Sequence, residues 1–209
     1  MQPTLNIPNA ITASRILLTP LFLWLLLSND AMLVQIAAGI FLIAAVSDWY
    51  DGWYARRYNA MSPFGAFFDP LADKIFIGAA FFAFVALGVL ELWMVIIITG
   101  RDILTTVLRV IADRKGNPVV TSRTARWKTA IQLIFLWYIV GAWTLNNVDY
   151  LRESIRQDYV AGFLAPAIVD PVMLLLVALS IFTAIHYLIE YHHVRRIPGK
   201  RGKVAGTPS

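Results

Sequence analysis

The stretch that decides the fold of this chain is residues 48–73, which read DWYDGWYARRYNAMSPFGAFFDPLAD. It carries four aspartates, and strongly apolar sequence flanks it on both sides. Ionisable groups are costly inside or at the edge of apolar membrane segments, so their presence there indicates a function. Several carboxylates so close together would repel one another unless cations lay between them. The stretch is therefore predicted to form a divalent-metal cluster beside a substrate groove.

Helical spacing brings the polar and small residues of this stretch onto common faces. On a first helix, spacings of three, four, seven and eight residues gather Asp48, Asp51, Gly52, Ala55 and Arg56. On a second helix, steps of four residues align Gly65, Asp69 and Asp73. The small residues on both faces would let a bulky group approach the backbone, as a substrate groove requires.

The composition is that of a polytopic membrane protein. The chain has 209 residues, of which 58% are hydrophobic and only 15% are charged, and a soluble domain of this size is far more polar. It contains no cysteine, which excludes disulfide bonds and thiolate catalysis. We therefore predict an all-α membrane bundle formed by a single domain over residues 1–209. The net charge of +5 is assigned to membrane topology and not to nucleic-acid binding.

Apolar runs predict six transmembrane helices, at residues 10–28, 31–57, 63–88, 91–112, 127–146 and 167–190. In this interpretation Ser62 is the N-cap of the third helix and Pro63 its first residue. An alternative start at Asp69 follows the same capping logic. Residues 147–158 are polar and a candidate for a short surface helix, and residues 192–209 form a basic tail that is predicted to be disordered.

The distribution of basic residues predicts the orientation of the bundle. One side carries most of them: Arg56, Arg57, Arg114, Lys115, Arg123, Arg126, Arg195, Arg196, Lys200, Arg201 and Lys203. The loops of the opposite side offer only Arg152 and Arg156. Because basic loops stay in the cytoplasm, both termini and residues 48–73 are predicted to lie at the cytoplasmic face, in a bacterial inner membrane.

The residue types of the cluster indicate chemistry on a diphosphate. Carboxylates alone are hard oxygen ligands that suit Mg²⁺, Mn²⁺ or Ca²⁺. Two such ions about 3.5–4 Å apart can clamp a diphosphate and stabilise charge as a phosphoryl bond breaks. Arg56, one helical turn beyond the acids, can hold a phosphate oxygen. Attack by a hydroxyl group needs a general base, and Asp73, the last acid of the series, is the natural candidate.

The spacing Asp-x2-Asp-Gly-x2-Ala-Arg-x8-Gly-x3-Asp-x3-Asp resembles the signature of the CDP-alcohol phosphotransferase family, and all eight signature positions match. The resemblance implies a six-helix, homodimeric membrane enzyme that moves a phosphatidyl-type group from a CDP-linked lipid to an alcohol and releases CMP. It implies a two-metal Mg²⁺ or Mn²⁺ site at Asp48, Asp51, Asp69 and Asp73, with Asp73 also the base. It places CDP-diacylglycerol against Gly52, Ala55, Arg56, Gly65, Asn9 and Thr12.

Further stretches are similar to the family members that use sn-glycerol 3-phosphate as acceptor, namely residues 6–15, residues 64–74 and Arg101 in the fourth helix. A dianionic phosphate needs a cationic pocket, and Arg101, Arg109 and Lys128 are predicted to supply it. Asp102 stands where many bacterial glycerophosphate enzymes carry glutamate. Other acceptors therefore stay open: phosphatidylglycerol, inositol phosphate or serine.

Two other interpretations compete with this one. The polar groups could be purely structural, with Arg101 and Arg109 paired to Asp102 and Asp113, and Lys128 an anchor at a helix end. The chain could also be a cation channel or transporter that uses its acids as an ion site. The acids lie at one membrane face and the sequence shows no paired half-helices, which favours a transferase. Metal-dependent release of CMP from CDP-diacylglycerol would separate the transferase from the channel.

Overall fold

A computed structural model describes the backbone of residues 7–58, 65–114, 123–147 and 162–196, and the side chains of residues 14–47, 71–112, 123–147 and 162–189. Within these ranges every regular element is an α-helix. The helices are α1 Ile7–Leu26, α2 Ala31–Tyr58, α3 Gly65–Ala86, α4 Leu92–Arg114, α5 Arg123–Asn146 and α6 Pro166–Arg196. The described chain is therefore all-α, as predicted, with one helix for each predicted span.

Three helix bounds differ from simple readings of the sequence. The backbone is already helical from Gly65, so the alternative start of the third helix at Asp69 is wrong. Helix α5 begins at Arg123, four residues before the predicted bound at 127. Helix α6 continues to Arg196, so the first residues of the predicted disordered tail are helical. The rest of that tail and the predicted surface helix at 147–158, apart from Asn147, lie outside the described residues.

Local chemistry explains why the chain turns where it does. Asp30 caps α2, because its Oδ1 accepts hydrogen bonds from the backbone N–H groups of Met32 at 2.7 Å and Leu33 at 3.3 Å. After α3, Gly88 adopts a left-handed φ of 72°. Its N–H donates to Val85, and the next N–H, of Val89, reaches back to Phe84 at 2.9 Å. This pattern is a Schellman helix end, in which glycine takes the left-handed position without a steric penalty.

An aromatic cluster holds the first three helices together. The rings of Phe22 in α1, Phe41 in α2 and Phe76 in α3 lie with their centroids 5.3 to 5.8 Å apart, and all three side chains are buried. Trp137 of α5 joins them with its ring 4.9 Å from that of Phe41. Phe41 lies seven residues before Asp48, and Phe76 lies three residues after Asp73. The core therefore fixes the helical segments that flank the motif on both sides.

Helix packing and surface composition agree with a membrane environment. Helix α1 packs on α2 and α3, α3 on α4, and α6 on α4 and α5. Two helical segments, Arg123–Asn146 and Pro166–Ile189, are long and apolar enough to cross a bilayer. Large apolar side chains remain exposed on the outside of the bundle, including Leu17, Trp24, Met32 and Ile189. Exposed apolar surface of this extent is typical of contact with lipid.

Candidate active site

The two halves of the aspartate motif lie on α2 and α3. The backbone is helical through Asp48 and Asp51 at the end of α2, and through Asp69 and Asp73 at the start of α3. The spacings of three and four residues therefore place each pair on one side of its helix, as predicted. The side chains of the first three aspartates lie outside the described set, as do those of the other predicted CDP-lipid residues, Asn9, Thr12, Gly52, Ala55, Arg56 and Gly65.

The donor chemistry of the motif fits a hard divalent cation. All four predicted ligands are carboxylates, which bind Mg²⁺ or Mn²⁺ through oxygen. Among the side chains that the structure describes, no group of three or more histidine or carboxylate ligands lies together. Only Asp73 of the four predicted ligands belongs to that set, so its surroundings are the part of the metal site on which the structure bears directly.

Asp73 pairs with an arginine from the first helix. Arg15 of α1 is buried and forms a salt bridge to the half-buried Asp73 carboxylate through Nη1. Thr19, one turn further along α1, donates its hydroxyl to the backbone carbonyl of Arg15 at 2.9 Å. The pairing keeps a positive charge beside the predicted base and ties α1 to the motif helix. Sequence spacing alone could not find this contact, because Arg15 and Asp73 are distant along the chain.

A cavity of about 510 Å³ opens between α3, α4 and α5, directly beside the motif. Four cationic side chains line it: Lys74, Arg101, Arg109 and Arg126. Lys74 immediately follows Asp73 in α3, and Asp73 itself is not in the lining. One carboxylate, that of Asp102, is also in the lining. A cavity with this excess of positive charge is suited to a small ligand that carries a phosphate.

The cations are the groups in the lining that can donate to an anion. The hydroxyls of the lining donate within their own helices: Thr105 to the Arg101 carbonyl at 2.9 Å, Thr106 to the Asp102 carbonyl at 2.7 Å, and Thr129 to the Ala125 carbonyl at 3.1 Å. Arg101 and Arg109 each keep a buried Nε without a hydrogen-bond partner among the described residues. Buried donors normally have partners, so these two Nε groups are unsatisfied donors on residues that line the cavity.

Of the three predicted phosphate ligands, the structure brings two into the cavity. Arg101 and Arg109 line it, as their spacing on α4 suggested. Lys128 does not line it. Its side chain is 0% exposed, and its Nζ donates to Asp102 at 2.7 Å and to Gln132 at 2.5 Å. A direct contact with a ligand in the cavity would require Lys128 to leave these partners.

Two cations of the lining, Lys74 and Arg126, were not among the predicted ligands. The observed start of α5 explains why Arg126 was not predicted. Because the helix begins at Arg123, Arg126 is a helical residue and shares a face with Thr129, Ala130 and Leu133, at spacings of three, four and seven. The basic stretch before residue 127 reads as a loop because it is polar. Arg126, at its end, instead lines the cavity.

A carboxylate motif at two helix ends and a cationic cavity between the same helix bundle's α3, α4 and α5 are suited to chemistry on phosphate compounds. A sequence model of CDP-alcohol phosphatidyltransferases matches residues 5–193. The chain therefore belongs to the CDP-alcohol phosphatidyltransferase family, and it is a phosphotransferase of phospholipid biosynthesis. This membership, together with the two apolar helices, indicates that it is associated with a membrane, and it argues against a cation channel.

Several relatives share a more specific name. The chain is 36% identical over 157 residues to a CDP-diacylglycerol–glycerol-3-phosphate 3-phosphatidyltransferase of Bacillus subtilis. The aligned region covers 69% of this chain and 79% of that protein. It is 38% identical over 141 residues to a protein of the same name from Pseudomonas fluorescens, covering 63% and 70%. A probable phosphatidylglycerophosphate synthase of Mycobacterium tuberculosis is 34% identical over 164 residues, covering 75% and 78%.

Proposed function

We propose that this chain transfers the phosphatidyl group of CDP-diacylglycerol to sn-glycerol 3-phosphate, giving phosphatidylglycerophosphate and CMP. The observation that carries the proposal is the cavity with four cations beside Asp73, in a chain whose relatives bear the name of this reaction. The cavity volume of about 510 Å³ lies within the usual range for small-molecule sites.

The acceptor would bind by its phosphate. The guanidinium groups of Arg101 and Arg109 present planar forks of N–H donors that match phosphate oxygens. Lys74 and Arg126 add positive charge around the same space. An acceptor held in this way by its phosphate would have its free hydroxyl group near Asp73, because Lys74 and Asp73 are neighbours in α3.

Asp73 would then act as the general base. Its carboxylate takes the proton of the acceptor hydroxyl, and the hydroxyl oxygen attacks the phosphorus atom that carries the diacylglycerol. A new bond forms between that phosphorus and the acceptor oxygen, while the bond to the CMP phosphate oxygen breaks and CMP leaves. Arg15, which pairs with Asp73, would hold the carboxylate of the base in place.

The remaining motif residues would hold the CDP-lipid and the divalent cations. Asp48, Asp51, Asp69 and Asp73 would hold two Mg²⁺ or Mn²⁺ ions, which when bound neutralise charge that develops on the diphosphate. The CDP part would lie against Gly52, Ala55, Arg56, Gly65, Asn9 and Thr12. The acyl chains would stay in the bilayer. Support comes from the carboxylate donor set and from the helical backbone, which aligns the motif on two adjoining helices.

The proposal includes a topology and an assembly. All six helices would cross the bacterial inner membrane, with both termini and the active site at the cytoplasmic face and with two copies forming a homodimer. The positions of the basic loops support the orientation. A cytoplasmic site also gives a water-soluble acceptor such as glycerol 3-phosphate direct access to the cationic cavity.

Other acceptors fit the cavity less well. Phosphatidylglycerol carries one negative charge in a phosphodiester, and serine is zwitterionic. Neither acceptor therefore matches the charge of a cavity lined by four cations. Inositol phosphate is a phosphomonoester and stays the main competitor for the same pocket. The carboxylate at Asp102 lies within the cavity and has two cationic partners of its own, so it does not argue for a cationic acceptor.

The test is transfer to each acceptor in turn by detergent-solubilised protein with CDP-diacylglycerol labelled in its lipid part. We expect labelled phosphatidylglycerophosphate and stoichiometric CMP with glycerol 3-phosphate and Mg²⁺ or Mn²⁺. Product with phosphatidylglycerol, inositol phosphate or serine, but none with glycerol 3-phosphate, would overturn the choice of acceptor. Transfer that is unaffected by removing divalent cations with a chelator would overturn the metal site.

A further inference from the structure

A buried charge network extends from the lining of the cationic cavity into the contact between α4 and α5. Asp102 of α4 is 3% exposed, and its Oδ1 accepts hydrogen bonds from Lys128 Nζ at 2.7 Å and from Arg101 Nη1 at 3.0 Å. Lys128, from α5, is fully buried and also donates to Gln132, which is 2% exposed. One carboxylate oxygen therefore joins a lysine that is hidden from the cavity to an arginine that lines it.

The network does not use the Nε edge of the Arg101 guanidinium. Nη1 is occupied by Asp102, whereas the buried Nε has no hydrogen-bond partner among the described residues. The edge formed by Nε and the second terminal nitrogen is one of the two that bind phosphate oxygens in pairs. An arginine side chain has many rotamers, and its fork is useful only when it is held in one orientation. The hydrogen bond to Asp102 restrains the Arg101 guanidinium, and the hydrogen bond from Lys128 restrains the Asp102 carboxylate.

We propose that Asp102 and Lys128 are positioning residues, which orient Arg101 so that its free edge faces the phosphate of the acceptor. The inference rests on the proposed function, and it gives Lys128 an indirect role in place of the direct contact predicted from sequence. Asp102 Oδ1 holds the guanidinium, and the buried ammonium of Lys128 prevents that carboxylate from turning away. Lys128 is not in the cavity lining, and Asp102, which is, would act through Arg101.

A simpler role for the pair would be to tie α4 to α5. The two roles differ in what happens when both charges are removed. Loss of Asp102 alone leaves Lys128 as a buried, uncompensated cation, which is strongly destabilising, whereas replacing both members of a buried pair with neutral groups is often tolerated. A structural tie therefore predicts that stability and acceptor binding recover together in a double variant. A positioning role predicts that stability recovers while acceptor binding stays weak.

The experiment compares Asp102→Asn, Lys128→Met, the double variant Asp102→Asn/Lys128→Met and the control Ile98→Ala. Ile98 is fully buried in the same helix, one turn before Asp102, and it does not line the cavity. For each protein the KM for glycerol 3-phosphate, the KM for CDP-diacylglycerol, and the melting temperature with and without inorganic phosphate are measured. Stabilisation by phosphate reports binding without turnover.

We expect Asp102→Asn to raise the KM for glycerol 3-phosphate by about tenfold or more, the scale of one charge-assisted hydrogen bond. The KM for CDP-diacylglycerol should change by less than about twofold, since the lipid site is elsewhere. The double variant should regain most of the melting temperature that Asp102→Asn loses, but it should keep the high KM and lack stabilisation by phosphate. Ile98→Ala should melt earlier, with both KM values and the phosphate effect intact.

Several results would overturn the inference. An unchanged KM for glycerol 3-phosphate in Asp102→Asn would do so, as would a double variant that recovers KM together with melting temperature. A wild-type protein that does not use glycerol 3-phosphate would refute the proposed function alone. In that case the inference stands if phosphate stabilises the wild type and Ile98→Ala but not the double variant, and it fails if phosphate stabilises all of them equally or none.

Discussion

The contact between α3 and α4 allows a quantitative test of how the cavity is held in shape. Gly78 of α3 lies against Thr99 of α4 so closely that a Cβ added at Gly78 would sit 2.7 Å from Thr99 Cγ2. Ordinary van der Waals contact begins at 3.4 Å, so Gly78→Ala requires about 0.7 Å of relief. Thr99 is buried and branched at Cβ, so its methyl group has few alternative positions.

The expected cost follows from this overlap. Forcing an extra methyl group into a packed interface costs about 1–3 kcal/mol, whereas alanine in place of glycine favours an exposed helix by about 1 kcal/mol. Gly141 of α5 is the matched control, because it is exposed and nothing lies within 4 Å of an added Cβ. Gly78→Ala should therefore be about 1–3 kcal/mol less stable than Gly141→Ala. At about 2–4 °C per kcal/mol for a chain of this size, the difference is readily measured by thermal unfolding.

Gly78→Ala should also alter the spacing of the cationic side chains that line the cavity. Gly78 lies one turn after Lys74, and Thr99 lies two residues before Arg101, so separation of α3 from α4 moves two cations of the lining apart. We expect a higher KM for glycerol 3-phosphate in Gly78→Ala. The double variant Gly78→Ala/Thr99→Ser removes the clashing methyl group and should restore both properties. A Gly78→Ala protein as stable as Gly141→Ala, or a double variant without rescue, would refute this account.

Three further predictions concern the residues that would act on the substrates. Asp51→Asn keeps the size of the side chain but removes its charge, so activity should fall by about a hundredfold or more; near-normal turnover with Mg²⁺ or Mn²⁺ would show that Asp51 is no metal ligand. Asp73→Asn should still bind CDP-diacylglycerol but lose kcat, because the base is missing; an unchanged kcat would remove Asp73 from that role. Arg126→Gln should raise the KM for glycerol 3-phosphate by about tenfold, whereas Arg123→Gln, which is exposed like Arg126 but does not line the cationic cavity, should change it by less than about twofold. Equal effects of the two arginine variants would indicate general electrostatic attraction instead of contact.

Sequence patterns predicted the helices well because their ends are set locally. Asp30 caps α2 through its own carboxylate, and Gly88 ends α3 through a conformation that other residues avoid. The motif helices were predictable for the same reason, since spacings of three and four residues define a helical face wherever the helix forms. Local signals of this kind need no knowledge of the rest of the fold.

The contacts between helices could not be predicted in this way. Lys128 near the start of a span suggested a ligand or an interfacial anchor, but its orientation depends on where α4 lies relative to α5. Only the structure shows that it points to Asp102, 26 residues away in the chain. Arg15 pairs with Asp73 for a similar reason. Arg126 was missed because a basic segment before an apolar run is typical of a loop. Polar residues that line a cavity inside the bundle produce the same sequence pattern.

The balance of charge around the cavity links the fold to the proposed reaction. Four cations line the cavity and a fifth, Lys128, is buried behind it, while Asp102 is the one carboxylate in the described lining. Cations gathered in this way repel one another and lose hydration, so the arrangement costs stability unless an anion binds. A phosphomonoester, with up to two negative charges, offsets this better than a phosphodiester with one. Glycerol 3-phosphate is such a phosphomonoester, and it also carries the free hydroxyl group on which the predicted base would act.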